Sequence, residues 1–264
     1  MRQSGGPRRV EVRPFPASRR VVTQALRAGR QIAPVHGLIS LDVTEARRRL
    51  ESIEPRLSLT AFLVASVGRA AAAHPEVHAY RNWRGQLVLH HHVDIATLVE
   101  IHTPDGSFPL AHLVRDADQR DVKDISTEIR RVKNDPASSQ SARLLARVTP
   151  VAAKIPGAVP LFYRLMARSV RMRRMAGTVA VTSVGMFAGG GGFGIGFPTV
   201  LTLSVLVGGM SERPLVVGGQ VEIREVLDLT VTVDHNVVDG APAARFVADM
   251  RRLIEEAEVL HSPS

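Results

Sequence analysis

One short segment, "VTVDHNVVDGAPAARF" at 231–246, combines acid–base side chains with a change of secondary structure. It begins with the alternation of a strand and continues with the spacing of a helix, and His235 and Asp239 lie four positions apart at the junction. A neutral imidazole can take a proton from a thiol or a hydroxyl near pH 7. Asp239 can cap the helix and anchor the histidine's surroundings, and Gly240 permits close approach. The segment therefore predicts a general base at His235, with a polar turn as the alternative.

The glycine run "GGGGFGIG" at 189–196 contains a GxGxxG match, the pattern of dinucleotide-binding loops. It is followed by another strand-like run, "FPTVLTLSVLV", so no helix N-terminus is available to hold a pyrophosphate. No Lys-Ser or Lys-Thr pair follows as in a phosphate-binding P-loop. We interpret the run as a flexible connection between strands.

Three consecutive histidines at 90–92 place His90 and His92 on one face of a predicted strand, which could begin a metal site. The chain has no cysteine, and no third ligand stands nearby at a diagnostic spacing. We therefore expect a structural or surface role for these histidines and no metal. Paired catalytic carboxylates and a GxSxG nucleophile motif are also absent from the sequence.

The composition limits the classes of function. The chain has 264 residues, of which 45% are hydrophobic, enough for one sizeable core, and its formal charge of +9 comes almost entirely from arginine. A basic surface attracts phosphate-bearing partners such as a coenzyme. Aromatic residues make up only 4% and do not interleave with the arginine clusters, so we expect no nucleic-acid binding. No apolar run reaches the ~18 residues of a spanning helix and no signal peptide begins the chain, so a cytoplasmic protein is expected.

The order of elements predicts the fold class. Residues 1–16 are expected to form a flexible arm, and 17–260 one domain with helices first, strands interspersed, then long successive strands and a final helix. Those last strands follow one another too closely for helical crossovers, so the sheet should be mixed or antiparallel. The pattern predicts an α+β fold with helices on one face. Within 141–175, the Arg-rich stretch 164–174 should pack its apolar side on the sheet with arginines outward; a membrane-surface helix is the alternative.

The segment "DHNVVDGAPAARF" resembles the DH-R-x-x-DG-A-x-x-A-x-F signature of the acyltransferase catalytic domains of 2-oxo acid dehydrogenase complexes, which are similar to chloramphenicol acetyltransferase. Further resemblance covers "SRRVVTQALRAG", "ISLDVTEARRR", "HPEVHAY", "HHHVDIATLVEIHTPDGSFPLAHLVRDAD" and "GTVAVTSVG", which together reach from about residue 17 to residue 258. The resemblance implies a mixed sheet covered by helices, as in chloramphenicol acetyltransferase.

The resemblance also implies a mechanism. His235 would deprotonate a thiol, of coenzyme A or dihydrolipoamide, for attack on an acyl thioester. Thr182 stands where the family has a hydroxyl that stabilises the tetrahedral oxyanion. Asp239 would hold the local backbone by pairing with an arginine of the first helix, Arg20 or its neighbour Arg19. Family sites lie between subunits of a trimer, so His235 and Thr182 would come from different chains.

The chain departs from the family pattern in several places. Asn236 replaces the usual arginine after the histidine, His78 stands where an asparagine is usual, and 141–175 is longer and more apolar than the expected link. No lipoylation hairpin surrounds Lys123, Lys133 or Lys154, so no covalent lipoate is expected and a lipoyl-bearing protein would act in trans. The expected activity is a free-standing, homotrimeric, CoA-dependent acyltransferase. The alternatives are acyl transfer to an amine or hydroxyl, and a catalytically silent trimeric scaffold.

Overall fold

The structure is a computed structural model that describes residues 10–15, 23–24, 26–103, 106–140, 142–144, 157–183 and 190–261. Within these ranges a six-stranded sheet has the order β1-β8-β7-β6-β4-β5, and a two-stranded sheet pairs β2 with β3. The strand bounds are β1 Pro34–Asp42, β2 Tyr80–Arg81, β3 Leu87–Val88, β4 Ile95–Thr103, β5 Gly106–Val114, β6 Val179–Ser183, β7 Leu203–Val217 and β8 Gln220–Asp234.

The six-stranded sheet is mixed. β6 runs parallel to both β4 and β7, and the other neighbours are antiparallel. β7 and β8 form one long hairpin with a two-residue turn at Gly218 and Gly219, both at positive φ, where a side chain would be strained. The parallel pairing of β6 confirms the prediction of a mixed sheet, and the short connection between β7 and β8 accounts for their antiparallel pairing.

The structure gives full bounds for the helices α1 Thr44–Ser52, α2 Leu59–Ala73, α3 Val122–Asn134, α4 Ala158–Arg168, α5 Val170–Arg173 and α6 Gly240–Glu255. The described residues 23–24, 26–29 and 142–144 are also helical. α2 is apolar nearly all round and largely buried, with Ser58 capping its start. α6 presents its helically spaced apolar side chains to the same core, at Phe246, Met250, Leu253 and Ile254.

One face of the sheet carries the main core. Alternate residues of β6, β7 and β8 point towards the helices and are almost completely buried, namely Val179, Val181, Leu203, Val205, Leu227, Leu229 and Val231. The helices therefore cover this face, which confirms the predicted α+β layering.

The other face is crossed by the described part of the glycine run. The amide of Gly192 donates to the carboxylate of Asp228, and the carbonyl of Gly192 accepts from the amide of Gly209 at 2.8 Å. A Cβ atom at Gly208 or Gly209 would collide with the backbone of 190–192, so glycine is required at this close approach. The run does connect two strands, as predicted, but its described part is tied to the sheet through a buried carboxylate.

The segment 75–78 forms a 3-10 helix beginning at Pro75, because proline fits the first turn of a helix. One local prediction was wrong. His90 and His92 lie in the irregular segment before β4, so they do not share one face of a strand.

The Arg-rich stretch also differs from the prediction. It forms α4 and α5, and Arg173 points inward with only 1% of its surface exposed. Most of the proposed arm at 1–16 and the segment 145–156 lie outside the described residues. Among the described residues, no helix is long and apolar enough to cross a membrane.

Candidate active site

His235 is the first residue after β8, and its backbone is fixed on both sides. Its amide donates to the carbonyl of Ala33 at 2.8 Å, and the amide of the preceding Asp234 donates to the carbonyl of Thr202 at 2.9 Å. The side chain is 51% exposed, so the imidazole stands on a rigid backbone but is open to a reaction partner.

The turn after His235 is built by Asp234. Its Oδ1 accepts from the amide of Ala33 at 3.1 Å, from the amide of Asn236 at 3.0 Å and from Nδ2 of Asn236 at 2.8 Å. Asn236 also donates to the carbonyl of Gln31. Asp234 thus anchors this turn, and the pairing of Asp239 with Arg19 or Arg20 stays a prediction. The sequence signal for this turn was Asp234 itself, because an aspartate often accepts a hydrogen bond from the backbone amide two residues later, as in an Asx turn.

The turn also sets the tautomer of His235. Nδ1 lies 2.9 Å from the carbonyl oxygen of Val238. A carbonyl oxygen only accepts, so Nδ1 carries the proton and donates. The neutral ring then has its lone pair on Nε2, which is the arrangement a general base needs.

Asp239 occupies the N-cap position of α6, but its side chain caps no backbone amide. It is 90% exposed, and its Oδ1 lies 3.9 Å from Nδ1 of His235. Its predicted partners Arg19 and Arg20 lie outside the described residues. A Cβ atom at Gly240 would meet nothing within 4 Å, so the predicted close approach at this glycine is not found within the chain. Among the described residues, the Asp239 side chain is thus placed only near His235, without a hydrogen bond to it.

Thr182 lies in β6, on the sheet face opposite the helices. Val179 and Val181 are in the core, so the alternation of the strand turns Thr182 to the other side. It pairs with Leu206 of β7, and Gly196 of the glycine run lies against the Leu206 side chain. The hydroxyl thus belongs to the face that the glycine run crosses.

A single chain does not bring Thr182 and His235 together. Thr182 is level with Leu206, and Leu206 is level with Thr230, five residues before His235. This register separates the two residues by roughly 17 Å along the strands and about 10 Å across two strand spacings. No substrate atom can be in hydrogen-bonding distance of both side chains of one chain.

A second group of ionisable residues lies close together in the structure, and the sequence did not predict this grouping. His78, Tyr80, His90 and Arg173 are buried together near the start of β7. Burial lowers the pKa of His78 and that of His90 to about 4, so both are neutral at pH 7. No periodic pattern in the sequence marks this group, because the four residues come from a 3-10 helix, strand β2, an irregular segment and α5. Within the described chain, no group of three or more acidic, histidine or cysteine side chains is placed to hold a metal ion.

Comparison with solved structures identifies the fold. The dihydrolipoamide acetyltransferase of Azotobacter vinelandii superposes with a TM-score of 0.72 at 20% identity, over 96% of this chain and 94% of that chain. Chloramphenicol acetyltransferase superposes with a TM-score of 0.51 at 13% identity, over 93% of this chain and 98% of that one. The expected chloramphenicol acetyltransferase-like fold is confirmed.

Sequence comparison adds a family. The lipoamide acyltransferase component of the branched-chain alpha-keto acid dehydrogenase complex of Pseudomonas putida is 27% identical over 253 residues, which cover 92% of this chain and 52% of that protein. The chain thus spans about half the length of this relative. The family described as 2-oxoacid dehydrogenases acyltransferase (catalytic domain) matches residues 7–142 and 163–262, so the chain belongs to that family.

Proposed function

We propose that this protein transfers an acyl group between coenzyme A and a thiol acceptor such as dihydrolipoamide, with His235 as general base. The observation that carries the proposal is the tautomer of His235, which leaves the Nε2 lone pair on a half-exposed ring at the end of β8. A relative from Acholeplasma laidlawii, 24% identical over 264 residues, is a dihydrolipoyllysine-residue acetyltransferase component. We infer the reaction class, acyl transfer, from the names of this relative and of the Pseudomonas putida relative.

In the proposed reaction, Nε2 of His235 takes the thiol proton while the sulfur attacks the thioester carbonyl carbon. The new carbon–sulfur bond leaves the carbonyl oxygen negative. Collapse of this oxyanion breaks the bond to the departing sulfur, which recovers the proton from the imidazolium. Asp239, with its carboxylate 3.9 Å from Nδ1, favours the imidazolium that forms on the way.

Thr182 is proposed to donate its hydroxyl to the oxyanion, and to do so across a subunit interface. The register that separates it from His235 within one chain supports a site shared between two copies. Apolar side chains on the glycine run support such an interface, since Phe193, Ile195 and Phe197 are 42%, 64% and 50% exposed. The proposed assembly is a homotrimer, in which each interface would hold one site.

The structure solved for Azotobacter vinelandii was used to study a serine, a histidine and an asparagine in the catalytic mechanism of that enzyme. The asparagine follows the histidine by four positions, the spacing of His235 and Asp239 here. This chain has a threonine and an aspartate as the proposed counterparts. A neutral asparagine cannot pair with an imidazolium, so Asp239 gives this site a charge that the relative lacks.

The acceptor is proposed to come from another polypeptide or as free dihydrolipoamide. Lys123 and Lys133 lie in α3, a regular helix rather than the turn of a hairpin. Lys154 lies outside the described residues. Intact mass after expression with lipoate and a lipoyl ligase should show no lipoyl increment; an increment would contradict this part of the proposal.

The test is direct. Purified protein is incubated with acyl-CoAs of graded chain length and dihydrolipoamide, and S-acyl dihydrolipoamide is measured by mass spectrometry. Product is expected with wild type and with His91→Ala, a control at an exposed histidine, and is expected to be lost with His235→Ala. Product with glycerol or an amine but none with the dithiol would reject the thiol acceptor. No transfer to any acceptor would reject the activity.

A further inference from the structure

A buried layer of rings and one guanidinium lies near the start of β7, outside the His235 turn. Its members His78, Tyr80, His90 and Arg173 have exposed fractions of 0%, 3%, 9% and 1%. The rings of His78 and His90 are 6.2 Å apart and inclined by 14°, and those of Tyr80 and His90 are 5.6 Å apart and inclined by 20°. The guanidinium carbon of Arg173 lies 4.7 Å from the Tyr80 ring centre. We name these four residues the Arg173 cluster.

The cluster carries one positive charge without a counter-charge. Burial lowers the pKa of Arg173 to about 10, so the guanidinium stays charged at pH 7. Burial raises the pKa of Tyr80, which keeps its phenol neutral, and the two histidines are neutral as well. A buried charge that is not paired is strongly unfavourable. An anion beside Arg173 would relieve this cost.

No carboxylate of the described chain supplies that anion. Arg173 forms no ion pair among the described residues, and Asp94, on the segment that leads into β4, is held by Arg115 and by the amide of Asp116. Of the 25 acidic residues in the sequence, all but Asp105 belong to the described ranges. We therefore expect the negative charge that balances Arg173 to come from outside the described part of the chain.

The free donors of Arg173 have the geometry of a carboxylate site. Nη1 donates to the carbonyl of Val200, whereas Nε and Nη2 are buried without a partner in the described chain. Nε–H and Nη2–H lie side by side on one edge of the guanidinium, the edge that binds both oxygens of a carboxylate. The Oη of Tyr80 and Nε2 of His90 are also buried and unpartnered, and each can donate one further hydrogen bond.

The cluster is connected to the backbone that holds His235. Val200, the partner of Arg173, is two residues before Thr202, whose carbonyl accepts from the amide of Asp234 at 2.9 Å. The path runs from Val200 through Thr202 and Asp234 to His235. The Cα spacings along it add up to roughly 16 Å, which is the upper limit of the distance between Val200 and His235. The hydroxyl of Thr202 donates to the carbonyl of Ala79, next to Tyr80, and so joins the two regions.

We propose that the Arg173 cluster binds the carboxylate of a short acidic acyl group or acceptor, held bidentately by Nε and Nη2 of Arg173. The assignment of that carboxylate to a substrate rests on the proposed function; the anion site itself does not. His92, in edge contact with His90 at 5.2 Å and 41% exposed, marks where the cluster reaches the surface. Acyl groups that end in a carboxylate are then preferred over neutral ones of the same shape.

Binding is tested without turnover. Isothermal titration with succinate is compared with succinamide, its neutral counterpart, and with inorganic phosphate. Wild type is expected to bind succinate in preference to both, and Arg173→Met is expected to lose this binding by about tenfold to hundredfold, as for other charge-assisted hydrogen bonds. Arg164→Met, which removes an exposed arginine that lies over Trp83, should bind as wild type. Phosphate binding tighter than succinate binding would overturn the carboxylate assignment.

Melting temperature separates binding from folding. Removing an unpaired buried charge should leave Arg173→Met at least as stable as wild type without anion, and succinate should raise the melting temperature of wild type alone. If Arg173→Met does not fold, Arg173→Lys, which retains charge but not the bidentate edge, replaces it and should also bind weakly. Unchanged succinate binding in the folded variant would overturn the proposal.

Turnover then tests the substrate. Succinyl-CoA is compared with 4-methylpentanoyl-CoA, which has the same shape but no charge. Wild type should favour succinyl-CoA in kcat/KM, and Arg173→Met should reduce that preference at least tenfold, mainly through KM. Arg173-dependent succinate binding without transfer of any acyl group would reject the function and keep the site. Transfer of both acyl groups at equal rates, unaffected by Arg173→Met, would reject the carboxylate as part of the substrate.

Discussion

The Nδ1 atom of His235 donates to the carbonyl oxygen of Val238, 2.9 Å away and three residues further along the chain. This hydrogen bond closes the turn between β8 and α6 and fixes the proton on Nδ1. The proposed base function of His235 therefore depends on a backbone carbonyl that no substitution of the Val238 side chain removes.

Replacing the base should abolish most of the activity. We expect His235→Ala to lower kcat for acyl transfer by about 10²- to 10⁴-fold, the usual contribution of a positioned general base. The melting temperature should change little, since the ring is half exposed. Initial rates with dihydrolipoamide and the best acyl-CoA measure the effect, with His91→Ala as the control. A His235→Ala rate within a factor of two of wild type would remove His235 from the mechanism.

A shared site predicts complementation between two defective variants. His235→Ala and Thr182→Ala protomers are mixed in equal amounts, unfolded and refolded, so that trimers assemble at random. About a quarter of the interfaces should then combine an intact His235 with an intact Thr182, by the cyclic symmetry of a trimer. Activity should rise towards a quarter of wild type.

Thr182→Ala alone retains some activity if its hydroxyl is one oxyanion donor among others, so its rate sets the baseline. Mass spectrometry under native conditions verifies that mixed trimers have formed. Mixed trimers with only the mean activity of the two parents would mean that the site lies within one chain.

Asp239 should affect catalysis more than folding. The side chain is 90% exposed and makes no hydrogen bond within the described chain, so Asp239→Ala should leave the melting temperature of the fold unchanged. Loss of its charge near the imidazolium should lower kcat, and Asp239→Asn, which lacks the charge, should be no better than alanine. Partial rescue by Asp239→Glu would support the electrostatic role. A large fall in melting temperature or loss of the trimer would instead indicate pairing with an arginine such as Arg20.

The buried histidines predict how stability depends on pH. Burial, with the positive charges of neighbouring residues as further causes, lowers the pKa of His78 and of His90 from 6.5 to about 4. Between pH 6.5 and about pH 4, these two histidines bind protons in the unfolded chain but not in the native chain. The contribution of the two residues is therefore complete above pH 6.5 and declines as the pH falls towards 4.

Chemical denaturation at pH 7 and at pH 5 measures this decline. His78→Asn combined with His90→Asn should lose less stability between the two values than wild type, whereas His91→Asn should behave as wild type because His91 is exposed. Burial raises the pKa of Glu128, but hydrogen bonds from His112 and Arg120 outweigh this effect and bring the pKa to about 2. The contribution of Glu128 to stability is therefore lost only below about pH 4.5 and does not disturb the comparison. Equal losses in the double variant and wild type would contradict the prediction.

The sequence by itself determined the strands and helices that have strong local patterns. It also determined the motif that contains His235 and Asp239. The run 226–234 alternates between apolar residues on the core face and mostly polar residues on the other face, and both sets are buried. The helical spacing after Asp239 produces α6. His235 could be named from its motif, and Thr182 from the resemblance of the segment "GTVAVTSVG" to the family, because residue type and strand position are local properties.

Tertiary structure decided what local patterns cannot encode. Asp234 anchors the His235 turn, because its carboxylate meets the amide of Ala33 across 201 residues of chain. Arg173 was predicted to face solvent, since arginine at the end of an amphipathic helix usually does. It is buried because α5 packs its end against Val200 and Tyr80, residues distant in sequence. The separation of Thr182 from His235 likewise follows from strand order and register, which depend on non-local pairing and not on any run of residues.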